Sequence, residues 1–328
     1  MTLTRRQPAE WMPHDAVWIG FPSHAELWED DLQPAREEVA AFARAVRGDG
    51  RGERVILVAA DAASAEAART LAGMDADVAV QPFGDIWLRD TGAIVTSGPD
   101  GRRAARFGFN WWGGKYHLPG DEGVGGRLAE AAGFAVDSHD WVLEGGAIDV
   151  DGTGLAVTTE QCLLNPNRNP GLLRQDIERG LAAGLGIERL LWLGEGLAND
   201  HTDGHVDNLA RFVAPGRLAL PVPTPDDPNA DVYSDAAERA RAFGVDVIPL
   251  PSPGLVEVDG DAIPASYMNF YIGNAAVVVP QYGAANDVAA VDAIQALFPG
   301  RVAIGLRADH ILTGGGSFHC ISQQVPSA

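Results

Sequence analysis

The stretch AIDVDGTGLAVTT at residues 147–159 holds two short apolar runs on either side of the pair Asp151-Gly152. An Asp-Gly pair between such runs predicts a β-hairpin. Residues 170–184 then have helical character, and residues 189–193 form another apolar, strand-like run. Together these segments predict a unit of strand, strand, helix and strand.

The same unit recurs along the sequence. Further turn pairs occur at 100–101, 215–216 and 273–274, and most have apolar runs beside them. A helix-like segment and a short strand follow each pair. The helical segments are 121–133, 170–184, 228–244 and 284–298, and the strands include 189–193, 246–250 and 301–305. A comparable module stands before them, with strands predicted at 16–20 and 55–60.

The predicted helices also carry boundary signals. Pro170 and Pro228 are placed as first-turn prolines, because proline at that position sacrifices no helical hydrogen bond. Gly133, Gly184 and Gly244 are placed as C-terminal stops. These positions predict where three of the helices begin or end.

About five such ββαβ units indicate an α/β protein. Arranged around a centre, as a five-bladed pseudo-symmetric α/β propeller, they would bring loops to a shared axial site. A plain α/β sandwich with irregular loops fits the pattern equally well. No Ser/Gly linker or low-complexity run divides the chain, so we predict one catalytic domain over residues 1–328.

Composition argues against several classes of function. The formal net charge of −21 would repel a nucleic-acid backbone, so nucleic acid is not an expected partner. The sequence shows neither the apolar run of a signal peptide nor the roughly 18 apolar residues of a transmembrane helix, so no membrane partner is expected. Cys162 and Cys320 are the only cysteines, which predicts no disulfide framework and a reducing, cytoplasmic location.

Four segments concentrate polar groups near strand ends or glycine-rich turns, where functional groups often lie. They are 84–92 (GDIWLRDTG), 143–146 (LEGG), 199–208 (NDHTDGHVDN) and 314–320 (GGGSFHC). Cys320 follows three glycines that permit close approach of a ligand, so its thiol is a candidate nucleophile as well as a candidate buried hydrophobe. Cys162 lies in an apolar run and is predicted to be a buried side chain.

The third segment allows three interpretations. In a strand, its alternating side chains would share one face and could ligate a metal; they are His201, Asp203, His205 and Asp207. Alternatively, His205 is a general acid/base with Asp207 beside it. In the third interpretation these are solvated loop residues. No CxxC or HExxH pattern in the sequence supports zinc.

Three carboxylates stand out across these segments. Asp90 and Glu144 each precede a glycine-containing turn, and singly each is an ordinary loop or capping residue. Together with Asp207 they could form a cluster of negative charge that needs a cation. A planar guanidinium fits such a cluster, because its donors match carboxylates in pairs.

Eight motifs, in order, carry a family resemblance over nearly the whole chain. They are WMPH at 11–14, WLRDTG at 87–92, FNWWGG at 109–114, EGG at 144–146, TTEQCLLNPNRNP at 158–170, GHVDN at 204–208, SYMNFYI at 266–272 and GGGSFHCISQQ at 314–324. This series resembles the agmatine deiminase and bacterial-type peptidylarginine deiminase family of the guanidine-modifying, or pentein, superfamily. The resemblance implies a five-bladed α/β propeller.

The resemblance also implies roles. Cys320 would be the nucleophile, His205 the general acid/base and Glu144 the residue that orients it. Asp90 and Asp207 would bind the guanidinium nitrogens. Further candidate substrate contacts are Trp87, Trp111, Trp112, Asn269, Gly315 and Gly316. Cys162 lies in a motif that the family carries without a catalytic role.

The implied reaction is hydrolysis of a guanidinium through a covalent thiouronium, without metal or organic cofactor. Agmatine, giving N-carbamoylputrescine and ammonia, is the leading substrate; the partner expected is thus a small cationic guanidine. Free or peptidyl arginine stays open, because Arg106 and Lys115 flank the WWGG segment and could face a carboxylate. The residues are also compatible with a metal-dependent hydrolase or a non-catalytic guanidine-binding protein. The resemblance suggests a homodimer.

Overall fold

The computed structural model describes residues 5–258 and 260–328, and its strands confirm an α/β protein. In chain order they are β1 His14–Gly20, β2 Arg54–Ala59, β3 Asp77–Val80, β4 Ile94–Gly98, β5 Gly101–Gly108, β6 Val136–Val142, β7 Ile148–Val150, β8 Leu155–Thr159, β9 Arg189–Leu193, β10 Arg211–Ala214, β11 Arg217–Val222, β12 Asp246–Pro251, β13 Glu257–Val258, β14 Asp261–Ala262, β15 Tyr271–Ile272, β16 Ala276–Gln281, β17 Val302–Arg307 and β18 Ser322–Pro326. The four hairpins predicted from turn pairs are present as β4-β5, β7-β8, β10-β11 and β15-β16.

Five sheets share one strand pattern. In each, an antiparallel pair is followed by a parallel neighbour, as in β4-β5-β6, β7-β8-β9, β10-β11-β12 and β15-β16-β17. The fifth sheet, β18-β1-β2-β3, joins the two ends of the described chain. A parallel neighbour requires a crossover connection, which explains the helix that precedes the last strand of each unit.

The helices supply these crossovers and the short turns around the sheets. The α-helices are α1 Ala25–Trp28, α2 Leu32–Arg47, α3 Ala62–Ala72, α4 Leu88–Thr91, α5 Trp111–Gly114, α6 Asp121–Ala131, α7 Glu160–Leu163, α8 Arg174–Leu185, α9 Ala230–Phe243, α10 Asp287–Leu297 and α11 Asp309–Leu312. Short 3₁₀ turns occupy Glu29–Asp31, Gly48–Gly50, Gly145–Ala147, Val206–Asn208 and Tyr267–Asn269. Among the described residues, none of the helices has both the length and the apolar character needed to cross a membrane.

Helix α2 shows how the sequence fixes one crossover. Its apolar residues recur at helical spacing and are buried; they are Ala35, Val39, Ala40, Phe42, Ala43 and Val46. Burying a valine or phenylalanine side chain contributes about 1.5–3 kcal/mol, so this face secures the helix against the sheets. The helix ends at Gly48, whose left-handed φ of 52° is the conformation that glycine adopts without steric cost.

Helices α8 and α9 differ from the sequence prediction at three of their boundaries. Helix α8 begins at Arg174 rather than at Pro170, because the Asp176 carboxylate accepts the Leu173 backbone N–H at 2.8 Å and starts the helix there. It runs through Gly184 and stops at Gly186, which has a φ of 69°. Helix α9 likewise begins two residues beyond Pro228, whereas the predicted stop at Gly244 is confirmed.

Candidate active site

The connections between successive sheets carry most of the predicted site residues. Asp90 lies between β3 and β4, Glu144 between β6 and β7, and His205 between β9 and β10. Asn269 lies between β14 and β15, and Cys320 between β17 and β18. Contacts among these side chains show that all five connections meet at one place. A shared location is what loops of repeated units produce when they face the same way.

A cavity of about 280 Å³ opens at this place. It is lined by Leu27, Asp85, Trp87, Asp90, Trp112, Tyr116, Leu118, His201, Thr202, Thr313, Gly314, Gly315 and Cys320. Two aspartates, three large aromatic rings and a thiol therefore share the wall. No lysine or arginine belongs to the lining in the described part of the chain. Such a wall suits a cation with an apolar body.

The Cys320 thiol is held at the inner end of the cavity and is 5% exposed. The Asn269 amide Nδ2 donates to its sulfur at 3.0 Å, and the Asn269 Oδ1 accepts the Cys320 backbone N–H at 3.2 Å. The thiol donates to Asp207 Oδ2 at 3.5 Å. Burial, followed by the carboxylates of Asp207 and Asp90, raises the pKa of this thiol well above its usual range. In the free protein the sulfur is therefore a thiol at neutral pH.

Asp207 is fully buried, and one of its two carboxylate oxygens has no hydrogen-bond partner among the described residues. His319 Nδ1 lies 2.7 Å from the same Oδ2 that faces the thiol, whereas Oδ1 makes no hydrogen bond among the described residues. Burial raises the pKa of Asp207, but the contact with His319 outweighs it and leaves the pKa below its usual value. Asp207 is thus held as a carboxylate with a free acceptor.

A buried charge network behind Asp207 was missed by the sequence analysis. His319 Nε2 lies 2.8 Å from Glu10 Oε2, and Arg211 pairs with Glu10 at 2.9 Å. Arg211 also pairs with Asp149. Burial raises the pKa of Glu10, but Arg211 and then His319 outweigh it and place the pKa well below its usual range. The histidine beside Cys320 in the GGGSFHC motif was the signal that could have indicated this link.

Asp90 and His205 form a second pair at the site. His205 is fully buried, and its Nδ1 lies 3.6 Å from Asp90 Oδ1. Asp90 Oδ1 accepts the Gly146 backbone N–H at 3.0 Å, and Asp90 Oδ2 accepts the Trp112 indole N–H at 2.9 Å. Burial raises the pKa of Asp90.

The imidazole of His205 is poised as an acid. Burial lowers its pKa, but the Asp90 carboxylate, the Cys162 sulfur and Glu144 outweigh burial and raise the pKa well above its usual range. This shift favours the protonated ring, the form that could give a proton to a leaving group. Neither ring nitrogen makes a hydrogen bond within the described residues.

Glu144 belongs to a chain of ion pairs that runs through Arg168 and Asp203 to Lys115. Arg168 Nε donates to Glu144 Oε1 at 2.7 Å, and both side chains are fully buried. Arg168 Nη1 pairs with Asp203 at 2.6 Å, and Asp203 pairs with Lys115. Burial lowers the pKa of Arg168, but Glu144 and its other anionic neighbours outweigh burial and raise the pKa. Glu144 lies near His205 but makes no hydrogen bond to it. The hydrogen bond from Arg168 is therefore the contact that holds the Glu144 side chain in place.

The two predicted tryptophans of the WWGG segment have different surroundings. Residues 111–114 form a turn in which every φ is positive, between 53° and 82°. This turn brings Trp112 into the cavity wall with its indole on Asp90. Trp111 lies outside the lining, stacked on His117 with ring centroids 3.8 Å apart. Non-glycine residues with positive φ are strained, and such strain concentrates at functional sites.

The remaining predicted contacts lie close to the thiol. Trp87 and Gly315 line the cavity. Gly316 lies so close to Trp87 and Cys320 that an added Cβ would stand 2.7 Å from the Trp87 ring and 2.9 Å from the Cys320 Cβ. Only glycine therefore fits beside the candidate nucleophile at position 316.

The alternating His/Asp metal site does not form. Residues 201–208 are turns and a 3₁₀ helix rather than a strand, so their side chains do not share a face. Asp203 pairs with Arg168 and Lys115, Asp207 contacts His319, and His201 is exposed at the cavity mouth. The interpretation as a metal hydrolase built on these four residues is wrong for that reason.

Replacing Gly146 by alanine should lower turnover by about 10- to 100-fold. An added Cβ would stand 2.6 Å from His205 Nδ1 and 2.9 Å from Asp90 Oδ1, so at least one of these buried groups must move. Steady-state kinetics on a guanidine substrate would measure the loss. Gly300→Ala is the control, since nothing lies within 4 Å of its added Cβ. Equal activity of the two variants would show that this close packing is unimportant.

Asp121 supports the cavity wall from behind. Its Oδ1 accepts the backbone N–H groups of Gly84 at 2.7 Å and Asp85 at 3.2 Å, and burial raises its pKa to about 7. Because the folded state holds this proton more tightly than the unfolded chain, stability should fall as the pH rises from about 4 to about 7 and then level off.

Asp121→Asn should remove that loss. The variant should gain up to about 4 kcal/mol in unfolding free energy relative to the parent between pH 4 and pH 7. Urea unfolding at several pH values would measure the difference, with exposed Asp30→Asn as the control. A constant difference across this range would contradict the raised pKa.

Known proteins resemble this chain over nearly its whole length. The family model described as Porphyromonas-type peptidyl-arginine deiminase matches residues 6–326. A protein of Vibrio parahaemolyticus, provisionally named as an agmatine deiminase, is 35% identical, with 98% of this chain and 96% of that protein covered. The structure of the agmatine deiminase of Enterococcus faecalis has 32% identity and a TM-score of 0.91, covering 98% of this chain and 96% of its own. A Porphyromonas gingivalis structure, provisionally named as an arginine deiminase, has 33% identity and a TM-score of 0.88, covering 99% of each chain.

The chain therefore belongs to the Porphyromonas-type peptidyl-arginine deiminase family, and the resemblance inferred from its motifs is confirmed. The fold and the relatives define a hydrolase of carbon–nitrogen bonds. Agmatine deiminases, named provisionally or outright, are among its full-length relatives and structural neighbours.

Proposed function

We propose that this enzyme hydrolyses agmatine to N-carbamoylputrescine and ammonia, with Cys320 as nucleophile. The observation that carries the proposal is the cavity wall: the Cys320 thiol and the carboxylates of Asp85 and Asp90, at a site whose described lining holds aromatic rings and neither lysine nor arginine. Asp90 and the free oxygen of Asp207 would accept guanidinium N–H groups. The likeness to agmatine deiminases supports the same assignment.

The first half of the reaction would be formation of a covalent intermediate. As the guanidinium binds, the Cys320 thiol gives its proton to solvent. The resulting thiolate attacks the central guanidinium carbon, forming a carbon–sulfur bond and a tetrahedral centre. His205 gives its proton to one terminal nitrogen, whose bond to carbon then breaks to release ammonia. The product attached to the enzyme is an S-alkylthiouronium, and His205 is left neutral.

The second half would be hydrolysis. Neutral His205 takes a proton from water, and the oxygen attacks the thiouronium carbon. The carbon–sulfur bond breaks and its electron pair returns to Cys320. The remaining hydroxyl proton passes to this sulfur as the carbonyl forms, which restores the Cys320 thiol. The ureido product departs, and His205 is again protonated.

A guanidinium should lower the pKa of the Cys320 thiol. Burial, Asp207 and Asp90 raise that pKa in the free enzyme, and a cation bound between them offsets the carboxylates. Absorbance titration of the thiolate, with and without a non-reactive guanidinium compound, would test this, with Cys320→Ala removing the signal. An unchanged midpoint would reject substrate-assisted formation of the thiolate.

The far end of the substrate is the basis for choosing agmatine over arginine. Asp85 lines the cavity and accepts the indole N–H groups of Trp28 and Trp87, so it offers a carboxylate framed by aromatic rings. Lys115 is paired with Asp203 outside the lining, and Arg106 is absent from the lining too. A substrate carboxylate therefore has neither lysine nor arginine as a partner among the described lining residues, whereas an ammonium has Asp85.

The test of this proposal is a comparison of substrates. The purified enzyme is given agmatine, free arginine and a blocked arginine peptide, and ammonia and ureido product are measured. Turnover of agmatine with little of the others is the expected result. Preference for an arginine substrate would keep the reaction but overturn the choice of agmatine. No turnover of any of the three would overturn the proposed function.

We also propose that the five equivalent sheets are blades around one axis. Their common strand pattern and the meeting of all five inter-sheet connections at one cavity support this arrangement. Small-angle scattering matched to a compact ring of five sheets, rather than to two stacked layers, would test it.

A further inference from the structure

Glu144 and His205, which have roles in the proposed reaction, lie next to Cys162, a third buried group that the reaction does not use. A carboxylate oxygen of Glu144, the sulfur of Cys162 and a ring nitrogen of His205 all lie within 4.8 Å of one another. Glu144, Cys162 and His205 are each 0% exposed. Cys162 lies on α7, between β8 and α8, and the sequence analysis had assigned it only to the core. Oxygen, sulfur and nitrogen ligands are thus gathered at one buried point.

These groups have unused ligand capacity. Glu144 Oε2 and both ring nitrogens of His205 make no hydrogen bond within the described chain. The other oxygen of Glu144, Oε1, is the one occupied by Arg168. Buried polar atoms without partners are costly and uncommon, so three of them around one thiol call for an explanation.

We propose that Glu144, Cys162 and His205 bind a thiophilic divalent cation of the Zn²⁺ class, and that this ion reversibly inhibits the enzyme. Zinc takes thiolate, imidazole and carboxylate ligands with bonds of about 2.0–2.3 Å, which places tetrahedral ligands about 3.6 Å apart. The three ligand atoms now lie at most 4.8 Å apart, so metal binding would require their side chains to rotate inward until the atoms are about 3.6 Å apart. Water would complete four-fold coordination.

The surrounding charges favour an ion at this point. Asp90 Oδ1 stands 3.6 Å from His205 Nδ1 and adds a second carboxylate beside Glu144. Cys162 would bind as the thiolate and give its proton to solvent, as metal-bound cysteines do. Arg168 opposes the ion, but it approaches Glu144 from the Oε1 side. The bound cation would face one carboxylate, one thiolate and the Asp90 charge.

Inhibition follows from the shared histidine, a point that rests on the proposed function. A metal-bound His205 nitrogen can neither give nor accept the proton that hydrolysis requires. The metal ion and a guanidinium would both be attracted by the Asp90 carboxylate and would repel each other, so each should weaken the binding of the other. Micromolar Zn²⁺ should therefore reduce turnover, and a chelator should restore it.

The direct test is binding of the metal alone. Calorimetry with Zn²⁺ on Cys320→Ala protein should show one site, because the nucleophile is not a ligand. Cys162→Ser should weaken that binding by about 100-fold or more, and Glu144→Gln should weaken it as well. Co²⁺ should give a sulfur-to-metal charge-transfer absorption that Cys162→Ser abolishes and Cys320→Ala keeps.

Two results would overturn the proposal. Binding that is lost in Cys320→Ala but kept in Cys162→Ser would place the ion on the nucleophile. Absence of binding in folded Cys320→Ala protein would exclude the site. If Cys162→Ser fails to fold, Glu144→Gln decides the question. Because these readouts are spectroscopic and calorimetric, they stand even if no guanidine proves to be a substrate.

Discussion

Cys320→Ala should abolish turnover of agmatine, with a loss of about 10⁴-fold or more, while agmatine still binds. The Cys320 sulfur lines the cavity together with Asp90 and lies 3.5 Å from Asp207 Oδ2. Removing this candidate nucleophile would leave the cavity without an atom to form the thiouronium. The carboxylates that would hold the guanidinium remain. Removal of the thiol also leaves Asn269 without its sulfur acceptor, a small change for the fold.

Two measurements check this result together. Ammonia release measures the reaction, and calorimetry with agmatine measures binding to the variant. Cys320→Ser is a matched control that keeps a hydroxyl in place of the thiol; it should also be inactive, because a hydroxyl is far harder to ionise here. Substantial turnover by either variant would show that the reaction does not proceed through Cys320.

Asp207→Asn should lower kcat/KM by roughly 10²- to 10⁴-fold. Asp207 Oδ2 faces both His319 and the Cys320 thiol, and Oδ1 is free for a substrate N–H. An amide keeps the shape but removes the charge, and it turns an N–H donor toward one of these partners. The guanidinium loses a charged acceptor, and His319 loses the carboxylate between itself and the thiol.

The effect should divide between binding and reaction. In a Cys320→Ala background, Asp207→Asn should weaken agmatine binding, which calorimetry would measure without turnover. With Cys320 intact, kcat should fall as well. Exposed Asp226→Asn is the control for loss of one negative charge from an acidic surface. Unchanged agmatine affinity in the double variant would mean that Asp207 does not bind the guanidinium.

The repeat pattern allowed the α/β class and its ββαβ units to be predicted, because these units depend on local signals. An Asp-Gly pair between apolar runs fixes a hairpin within a few residues, and the hairpin at Asp151-Gly152 formed as expected. Helix starts were less predictable. Pro170 suggested the start of α8, but the carboxylate of Asp176 placed it at Arg174, and two such local signals cannot be ranked from sequence alone.

For the candidate site, too, the sequence predicted some residues and not others. The motifs around Asp90, His205 and Cys320 named the groups that the structure brings together. The partners from distant segments could not be inferred: Glu10 meets His319 across almost the whole chain, and Arg168 reaches Glu144 from a different connection. Such pairs depend on tertiary packing, which carries no local pattern. Trp111 and Trp112 were equivalent in sequence, and only the left-handed turn separates them.

The position of strand β18 implies an order in which the parts of the protein fold. It pairs with β1, so His14 faces Pro326, and it begins two residues after Cys320. Contacts between segments so far apart form slowly, because the intervening chain must first be arranged. The nucleophile should therefore reach its working position only when the last of the five sheets closes. Recovery of activity during refolding should lag behind recovery of helical structure. Mild denaturation that disrupts the pairing of β18 with β1 should abolish activity before the other four sheets unfold.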